Sequence, residues 1–510
     1  MKRTLLAALC AAVFVCAAQT QPAATPTPHR AARPTAAKPK LVVMVVVDQF
    51  RFDYLTRFES EFKGGLKRLW DRGAVFTNAH YEHMPTVTAV GHSIVLSGAM
   101  PSASGIVGNE WYDRETGKQV TSVFDDKVKP LGKDGKSSAS PNRLLVSTVG
   151  DELKLSGRSP SKVVSLSIKD RSAIMPGGRM ADGAYWFDKP SGNFVSSTWY
   201  FDDLPAWVKS FNEKKAIDQW KGTLGYDKMS ESKFGNDVVE LFAEAAIEGE
   251  NLGRNKGIDL LSMSFSANDT VGHAKGPHSP EAHEITLHTD EVLAKFFSFL
   301  DKRIGMSNVL VVLTADHGVA PLPEYLIERH MPGGRMPESV VLDAISKALN
   351  EKYGEAKWIL GKSGPSPYFD HKLIADSKLD LEEVQQTAAQ AVRMLPHIAR
   401  VFTREELRRG LALNDMVGRR VQNGFFYQRA SDLVIVPEPY YLFEKSGTSH
   451  GTPWNYDSHV PVIFLGPQVK TGKFNERAAV IDIAPTLATI LGVETPSGAS
   501  GRVLTEMLAK

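Results

Sequence analysis

The stretch LVVMVVVD at residues 41–48 decides the fold. Seven apolar residues follow one another without the alternation expected of a strand that has one face in water. Such a run is typical of a strand that is buried on both faces of a parallel sheet. We therefore predict that the folded domain begins near Leu41 with a central strand, and that Asp48 lies where this strand ends.

Similar apolar runs recur along the chain, at Val163–Ile168, Ile258–Phe265, Val309–Leu313 and Val460–Leu465. Helical patterns separate them. In one, Ser279 and Pro280 are typical of a helix start, and the apolar residues that follow share one helical face. Strands that alternate with helices predict a doubly wound α/β fold, with a mostly parallel central sheet and helices on both faces.

Two regions, near 112–160 and 320–440, are rich in Gly, Pro and Ser and do not fit the pattern of the sheet. No sharp linker divides residues 41–510. We therefore expect one domain over 41–510, in which these two regions are insertions over a functional site rather than separate domains.

The N-terminus reads as a targeting segment. Residues 1–18 have a basic start, an apolar run and small residues before Gln19, which predicts a cleaved secretory signal peptide. Residues 19–40 are rich in Pro, Ala and Thr and predict a disordered tether. Both cysteines, Cys10 and Cys16, lie in the signal peptide, so a lipid anchor at Cys16 stays an alternative to free export. We expect a periplasmic or secreted protein without disulfides.

Composition excludes several classes of protein. The chain has 60 Lys and Arg against 58 Asp and Glu, so no strong basic field predicts nucleic acid as a specific partner. Beyond the signal peptide, no uncharged stretch is long enough to span a membrane. We expect a monomer.

Polar side chains suited to chemistry follow four of the five apolar runs: Asp48; Lys169 and Arg171; Asp269 and His273; Asp316 and His317. Open α/β sheets bind ligands beyond the carboxyl ends of their strands. Asp and His suit zinc, and the four-residue spacing of Asp269 and His273 puts both on one face of a helical turn. Each motif is weak alone, but their joint occurrence predicts a metal site.

In chain order, these motifs resemble those of the alkaline phosphatase superfamily, and most closely its threonine-nucleophile monoesterase branch. The resemblance rests on Asp48, TVTAVGHS at 86–93, GIVGN at 105–109, Lys169-Asp170-Arg171, residues 269–273, Asp316-His317-Gly318, HGTP at 450–453 and IDIAPTL at 481–487. It covers nearly all of residues 41–510.

The resemblance implies two zinc ions per chain and a role for each candidate residue. One ion would be held by Asp269, His273 and His450, and the other by Asp48, Asp316 and His317, with Thr88 as the nucleophile that touches the second ion. Asn109, Lys169 and Arg171 would bind the substrate. The ligand types agree with zinc, and two such ions can clamp the attacking and leaving oxygens of an in-line displacement.

Four positions have a second interpretation. Thr88 is also a plausible helix N-cap, and Asn109 a turn residue. His92 is expected to be a packed, hydrogen-bonded histidine, and His459 competes with His450 as the last ligand. If the chain stays extended after Ile168, the side chains of Lys169 and Arg171 project to the same side and can reach one site, whereas Asp170 points away from that site.

The sequence therefore predicts an exported, zinc-dependent alkaline phosphatase that hydrolyses phosphate monoesters through a phosphothreonine intermediate. Two alternatives stay open: a nucleotide pyrophosphatase or phosphodiesterase on the same site, and a noncatalytic zinc-dependent binding protein. The Thr88-Ala89-Val90-Gly91-His92 sequence lacks the Cys or Ser motif of sulfatases and argues against that chemistry.

Overall fold

The structure is a computed structural model that describes residues 38–136, 138–157, 160–411 and 415–509. The predicted signal peptide and most of the predicted tether lie outside these residues. The end of the tether region is already paired, because Lys40 N donates to Asn308 O at 2.8 Å and Lys40 O accepts from Asp259 N at 3.0 Å. The first strand then begins at Leu41, as predicted.

The described strands, in chain order, are β1 (Leu41–Val47), β2 (Ala74–Phe76), β3 (Ala79–His80), β4 (Glu110–Asp113), β5 (Lys118–Thr121), β6 (Phe124–Asp125), β7 (Pro130–Leu131), β8 (Ser138–Ala139), β9 (Val163–Ser167), β10 (Gly183–Asp188), β11 (Asn193–Ser197), β12 (Asp259–Phe265), β13 (Val309–Thr314), β14 (Gly334–Arg335), β15 (Ile359–Ser363), β16 (Ser366–Phe369), β17 (Ile398–Thr403), β18 (Leu433–Pro437), β19 (Tyr441–Leu442), β20 (Val462–Leu465), β21 (Gly472–Phe474) and β22 (Ala478–Ala479).

The described α-helices are α1 (Asp53–Arg57), α2 (Gly65–Arg72), α3 (Thr88–Ser97), α4 (Pro101–Ser104), α5 (Val149–Leu155), α6 (Asp170–Gly177), α7 (Ala206–Lys214), α8 (Asp218–Lys221), α9 (Gly225–Ser230), α10 (Phe234–Gly249), α11 (Ala267–Lys275), α12 (Pro280–Arg303), α13 (Pro323–Ile327), α14 (Glu338–Tyr353), α15 (His371–Asp376), α16 (Leu381–Arg393), α17 (Arg404–Arg409), α18 (Met416–Gly424), α19 (Asn455–Ser458) and α20 (Ile483–Leu491). As predicted, Ser279 caps α12 by accepting from Ala282 N. Among the described residues, no helix has the length and apolar character that a membrane span requires.

A large central sheet has the strand order β21-β2-β20-β13-β1-β12-β9-β10-β11-β7. Strands β13, β1, β12, β9 and β10 are mutually parallel, with helices packed against them, which confirms the predicted α/β class. The last apolar run differs in direction from the other four. It forms β20, which pairs antiparallel with β13 and β2. An apolar run indicates burial on both faces but carries no information about direction.

The register of the parallel strands brings their carboxyl ends to one edge of the sheet. Val47 of β1 is paired with Phe265 of β12, and Val46 is paired with Thr314 of β13. Strand β9 is aligned so that Ser167 pairs with Ser264. The chain segments that follow these four strands therefore emerge side by side, and they contain most of the predicted site residues.

The core has one large part and two smaller ones. The large hydrophobic cluster surrounds the central sheet, and β1 is entirely buried within it. A second cluster lies within residues 336–435 and joins α14 and α16 to the β17–β18 pair. A third connects α17 and α18 to the same pair. The region predicted as an insertion near 320–440 thus has apolar packing of its own.

Candidate active site

Asp48, Asp316 and His317 form the first of two groups that can hold a metal ion. Asp48 follows β1 directly, and the other two residues follow β13, so adjacent parallel strands deliver all three. They are fully buried, and their ligand atoms lie within 4.8 Å of one another. His317 Nε2 lies 3.4 Å from Asp48 Oδ1 and 3.4 Å from Asp316 Oδ2.

Asp269, His273 and His450 form the second group. As the spacing predicted, Asp269 and His273 lie one turn apart on α11, with His273 Nε2 3.1 Å from Asp269 Oδ1. His450 comes from a distant loop and places its Nε2 3.7 Å from the same oxygen. The competing His459 lies elsewhere, with its Nε2 3.0 Å from Thr77 O and its ring stacked on Phe52.

The three histidines of these groups share one arrangement. In each, Nδ1 lies close to a backbone carbonyl: Gly318 O at 2.9 Å for His317, Thr448 O at 2.7 Å for His273 and Thr86 O at 2.8 Å for His450. A carbonyl only accepts, so each Nδ1 donates its proton to the carbonyl, and each Nε2 is directed toward the other members of its group. Metal-binding histidines are typically oriented in this way.

The charges of the two groups also suit cations. Burial and the carboxylates of Asp269 and Asp316 raise the pKa of Asp48 well above its ordinary value. Asp48 Oδ1 is buried without a hydrogen-bond partner. Burial lowers the pKa of both His317 and His450, which keeps their imidazoles neutral, as a metal ligand must be. An orphaned carboxylate oxygen and neutral imidazoles fit bound metal ions.

Thr88 is the first residue of α3, and Val87 is the N-cap. Thr88 is therefore inside the helix rather than at its cap position, and the interpretation of Thr88 as a helix cap is wrong. Its Oγ1 lies 3.4 Å from His317 Nε2, beside the first group. Helix α3 approaches this group closely, since a Cβ on Gly91 would lie 2.1 Å from Asp316 O.

Asn109 lies beside the start of α3. Its Oδ1 accepts a hydrogen bond from Ala89 N at 2.8 Å, so the side chain is fixed against the residue that follows Thr88. Asn109 also lines a cavity of about 570 Å³, together with Arg171. The structure therefore brings Asn109, Thr88 and Arg171 to the same region, as the sequence predicted.

Lys169 lies between the two groups. Its Nζ donates to Asp48 Oδ2 and to Asp269 Oδ2, both at 2.6 Å. Burial opposes its charge, but the carboxylates of Asp269 and Asp48 outweigh burial and raise the pKa of Lys169. The ammonium is thus kept protonated at the centre of the site.

The expected geometry around Lys169 and Arg171 was wrong. The strand ends at Ser167, Lys169 is the N-cap of α6, and Arg171 belongs to the first turn of that helix rather than to an extended chain. Asp170 does not point away, because it lines the same cavity as Arg171. Arg171 Nε is buried and has no hydrogen-bond partner.

Gln49 and His92 both contact carboxylates of the two groups. Gln49 was not identified from the sequence, and only a packing role was predicted for His92. Gln49 donates from Nε2 to Asp269 Oδ1 at 2.7 Å and from its backbone N to Asp316 Oδ1 at 3.1 Å. His92 is packed and hydrogen-bonded, as predicted, and its Nδ1 also lies 3.1 Å from Asp316 Oδ2. The only sequence signal for Gln49 is its position directly after Asp48.

The chain is similar over its length to alkaline phosphatases. It is 36% identical to alkaline phosphatase PafA of Elizabethkingia meningoseptica, over 93% of this chain and 95% of that protein. It is 35% identical to alkaline phosphatase PhoV of Synechococcus elongatus, over 100% of both chains. The crystal structure of a PafA variant, substituted at a threonine, an asparagine, a lysine and an arginine, matches with a TM-score of 0.88. That match is 34% identical and covers 93% of this chain and 99% of the other.

The sequence profile of the type I phosphodiesterase / nucleotide pyrophosphatase family matches residues 42–460. The match includes all six residues of the two candidate metal groups, as well as Thr88, Asn109, Lys169 and Arg171. Together with the alkaline phosphatases, it confirms the predicted superfamily. The chain belongs to the type I phosphodiesterase / nucleotide pyrophosphatase family.

Proposed function

We propose that this protein is an exported, zinc-dependent alkaline phosphatase that hydrolyses phosphate monoesters through a phosphothreonine. One observation carries the proposal: the Thr88 hydroxyl lies beside the Asp48 group, and the Lys169 ammonium lies within 2.6 Å of a carboxylate from each group. A buried hydroxyl, two candidate metal groups and a buried cation thus lie close together. The relatives named alkaline phosphatases PafA and PhoV support the same activity.

Zinc is the metal that suits these donors best. Each group offers carboxylate oxygens and imidazole nitrogens, three ligands in all, which leaves coordination positions for substrate, as in catalytic zinc sites. When bound, zinc would lower the pKa of the Thr88 hydroxyl at the Asp48 group and would stabilise negative charge on the leaving oxygen at the Asp269 group.

Thr88 is the proposed nucleophile. Its deprotonated Oγ1 forms a bond to phosphorus while the bond between phosphorus and the ester oxygen breaks, and the released alkoxide takes up a proton to leave as the alcohol. Water then attacks the phosphothreonine, which releases inorganic phosphate and restores the hydroxyl. Because Thr88 is the first residue of α3, the positive end of the helix dipole stabilises negative charge on its oxygen.

The residues Asn109, Lys169 and Arg171 account for a preference for monoesters. A monoester has one more anionic nonbridging oxygen than a diester, and cationic donors recognise it best. Arg171 has a buried Nε without a partner, and the Asn109 oxygen is engaged by Ala89 N, which leaves the Asn109 amide NH₂ to donate. The PafA variant structure is substituted at the same four residue types as Thr88, Asn109, Lys169 and Arg171.

Phosphodiester or nucleotide pyrophosphate hydrolysis is the second candidate, because the family description includes both activities. A noncatalytic zinc-binding protein is a weaker alternative, since it would have no need for a buried hydroxyl beside a metal group. Export and a periplasmic or secreted location rest on residues 1–18 alone and stay a prediction from the sequence.

A single preparation tests the proposal. Purified protein is assayed with p-nitrophenyl phosphate while its zinc content is measured, and Thr88→Ala and Thr88→Ser are assayed at equal zinc occupancy. We expect activity in the wild type and almost none in Thr88→Ala. Thr88→Ser should keep more activity than Thr88→Ala, because serine keeps the attacking oxygen. Full turnover by Thr88→Ala would rule out Thr88 as the nucleophile. A zinc-loaded wild type without activity would favour the alternative of a noncatalytic zinc-binding protein.

A further inference from the structure

A cavity of about 570 Å³ opens beside the candidate active site, a size typical of small-molecule pockets. Asn109, Arg171, His273 and His450 contribute to its wall, so it is continuous with the site. Thr88 and Asp48 are not among the described residues that line it. His273 and His450 of the Asp269 group therefore contribute to the wall of the cavity, whereas Thr88 itself does not.

The position of the cavity indicates where the alcohol portion of a phosphate ester would lie. In an in-line displacement the leaving group departs on the side opposite to the attacking oxygen. Thr88 lies beside His317 of the first group, whereas His273 and His450 of the second group line the cavity. If the proposed function holds, the alcohol portion of the substrate points into this cavity.

The walls of the cavity are largely apolar and come mainly from the region near 320–440, with further residues from 107–123, from 443–452 and from the loop before α3. The main apolar lining residues are Met84, Val107, Tyr368, Phe425, Val434 and Phe443. An aromatic or aliphatic group placed among these side chains would be removed from water, which stabilises binding by roughly 25 cal/mol per Å² of apolar surface.

The charges of the lining are mainly negative. Glu110, Asp170, Glu338 and Glu444 line the cavity, and Arg171 is the only Lys or Arg among the described lining residues. Glu338 is paired with Lys362, and Asp170 accepts a hydrogen bond from Arg171 N. The remaining carboxylates would repel a substrate that carries further phosphate or carboxylate groups beyond the one that reacts.

We infer that this cavity binds the organic group of the substrate, and that the enzyme selects phosphate monoesters whose alcohol is apolar, preferably aromatic, and uncharged or cationic. The inference rests on the proposed function and adds to it a class of substrate.

Methyl and benzyl phosphate test the apolar part of this inference, because their alcohols have closely similar acidity. A difference in kcat/KM between them then reports binding of the phenyl ring rather than leaving-group chemistry. We expect the zinc-loaded enzyme to favour benzyl phosphate by about 10- to 100-fold. Phe443→Ala should reduce this ratio by about 5-fold or more. Phe299→Ala, also half-buried but outside the cavity, should leave the ratio unchanged.

The charge preference is tested with benzyl phosphates that carry a para-aminomethyl or a para-carboxylate group. We expect the aminomethyl ester to be favoured, and Glu110→Gln/Glu444→Gln to reduce that preference. Equal kcat/KM for methyl and benzyl phosphate would overturn the claim that the cavity binds apolar groups. A higher kcat/KM for the para-carboxylate ester than for the aminomethyl ester would overturn the claim of charge selection. Absence of hydrolysis of all four esters would overturn the proposed function and this inference with it.

Discussion

Gln49 donates a hydrogen bond from Nε2 to Asp269 Oδ1 at 2.7 Å. Its backbone N donates to Asp316 Oδ1 at 3.1 Å, so one residue fixes a carboxylate of each candidate metal group. Gln49 has a φ of 64°, a conformation that residues other than glycine rarely adopt. A buried side chain kept at such a position indicates that its contact with Asp269 outweighs the backbone strain.

Gln49→Ala should weaken zinc binding by about 10-fold or more, because ligand-supporting partners typically contribute 10- to 100-fold to metal affinity. Zinc content at equilibrium with a series of chelator-buffered zinc concentrations measures the change. Gln49→Gly is the matched control, since it relieves the backbone strain but also lacks the amide. We expect both variants to lose affinity. Unchanged affinity in both would show that the amide does not support the site.

Removal of metal should abolish hydrolysis and lower the thermal midpoint together. Without bound cations, the buried carboxylates of Asp48, Asp269 and Asp316 repel one another, and the ammonium of Lys169 compensates only part of their charge. The measurement is activity and thermal unfolding before chelation, after chelation and after zinc is restored, with about two zinc ions per chain expected at full recovery. A chelated protein that keeps its full activity would contradict this.

Glu240→Gln should stabilise the fold at alkaline pH. Burial and the neighbouring carboxyl of Glu244 raise the pKa of Glu240 to about 8, even though Lys295 Nζ lies 2.6 Å away. The unfolded carboxyl loses its proton near pH 4.5 and the folded one near pH 8, so the stability that Glu240 contributes is full below 4.5 and is lost as pH rises to 8.

Glutamine cannot ionise and avoids this loss. The thermal midpoint of Glu240→Gln should therefore exceed that of the wild type by a few degrees at pH 9 and differ little at pH 5. Glu248→Gln, on the same helix but exposed, should show the same difference from the wild type at both pH values. A Glu240→Gln effect that does not depend on pH would refute the assignment.

The fold was predictable where burial alone decides the structure. Uninterrupted apolar runs located β1, β9, β12 and β13, and Asp48 directly after β1 marked the active edge of the sheet. The direction of β20 was not predictable, because pairing partners far apart in sequence decide direction. The apolar core within residues 336–435 was missed for a similar reason, as its elements pack on one another rather than on the sheet.

At the site, the residues of metal-binding type could be recognised from the sequence. The residues that contact them in the folded chain could not. His273 and His450 were assigned by type and motif, whereas the role of Gln49 depends on an amide contact across 220 residues of sequence. Lys169 was selected on a wrong geometric basis, since the chain turns into α6 immediately after Lys169. Local spacing predicts what a helix or strand presents, but not where the element begins.

The central claim, that the Lys169 and Arg171 cations make this site a monoesterase, is tested most directly by one ratio. It is kcat/KM for phenyl phosphate divided by kcat/KM for methyl phenyl phosphate, measured for the wild type and for Lys169→Ala/Arg171→Ala at equal zinc content. We expect the wild type to favour the monoester, and the double variant to lose about 10²-fold or more of monoester kcat/KM, the usual cost of a lost transition-state donor, with a much smaller loss on the diester. An equal loss on both substrates, or a wild type that favours the diester, would contradict the claim and support the phosphodiesterase alternative.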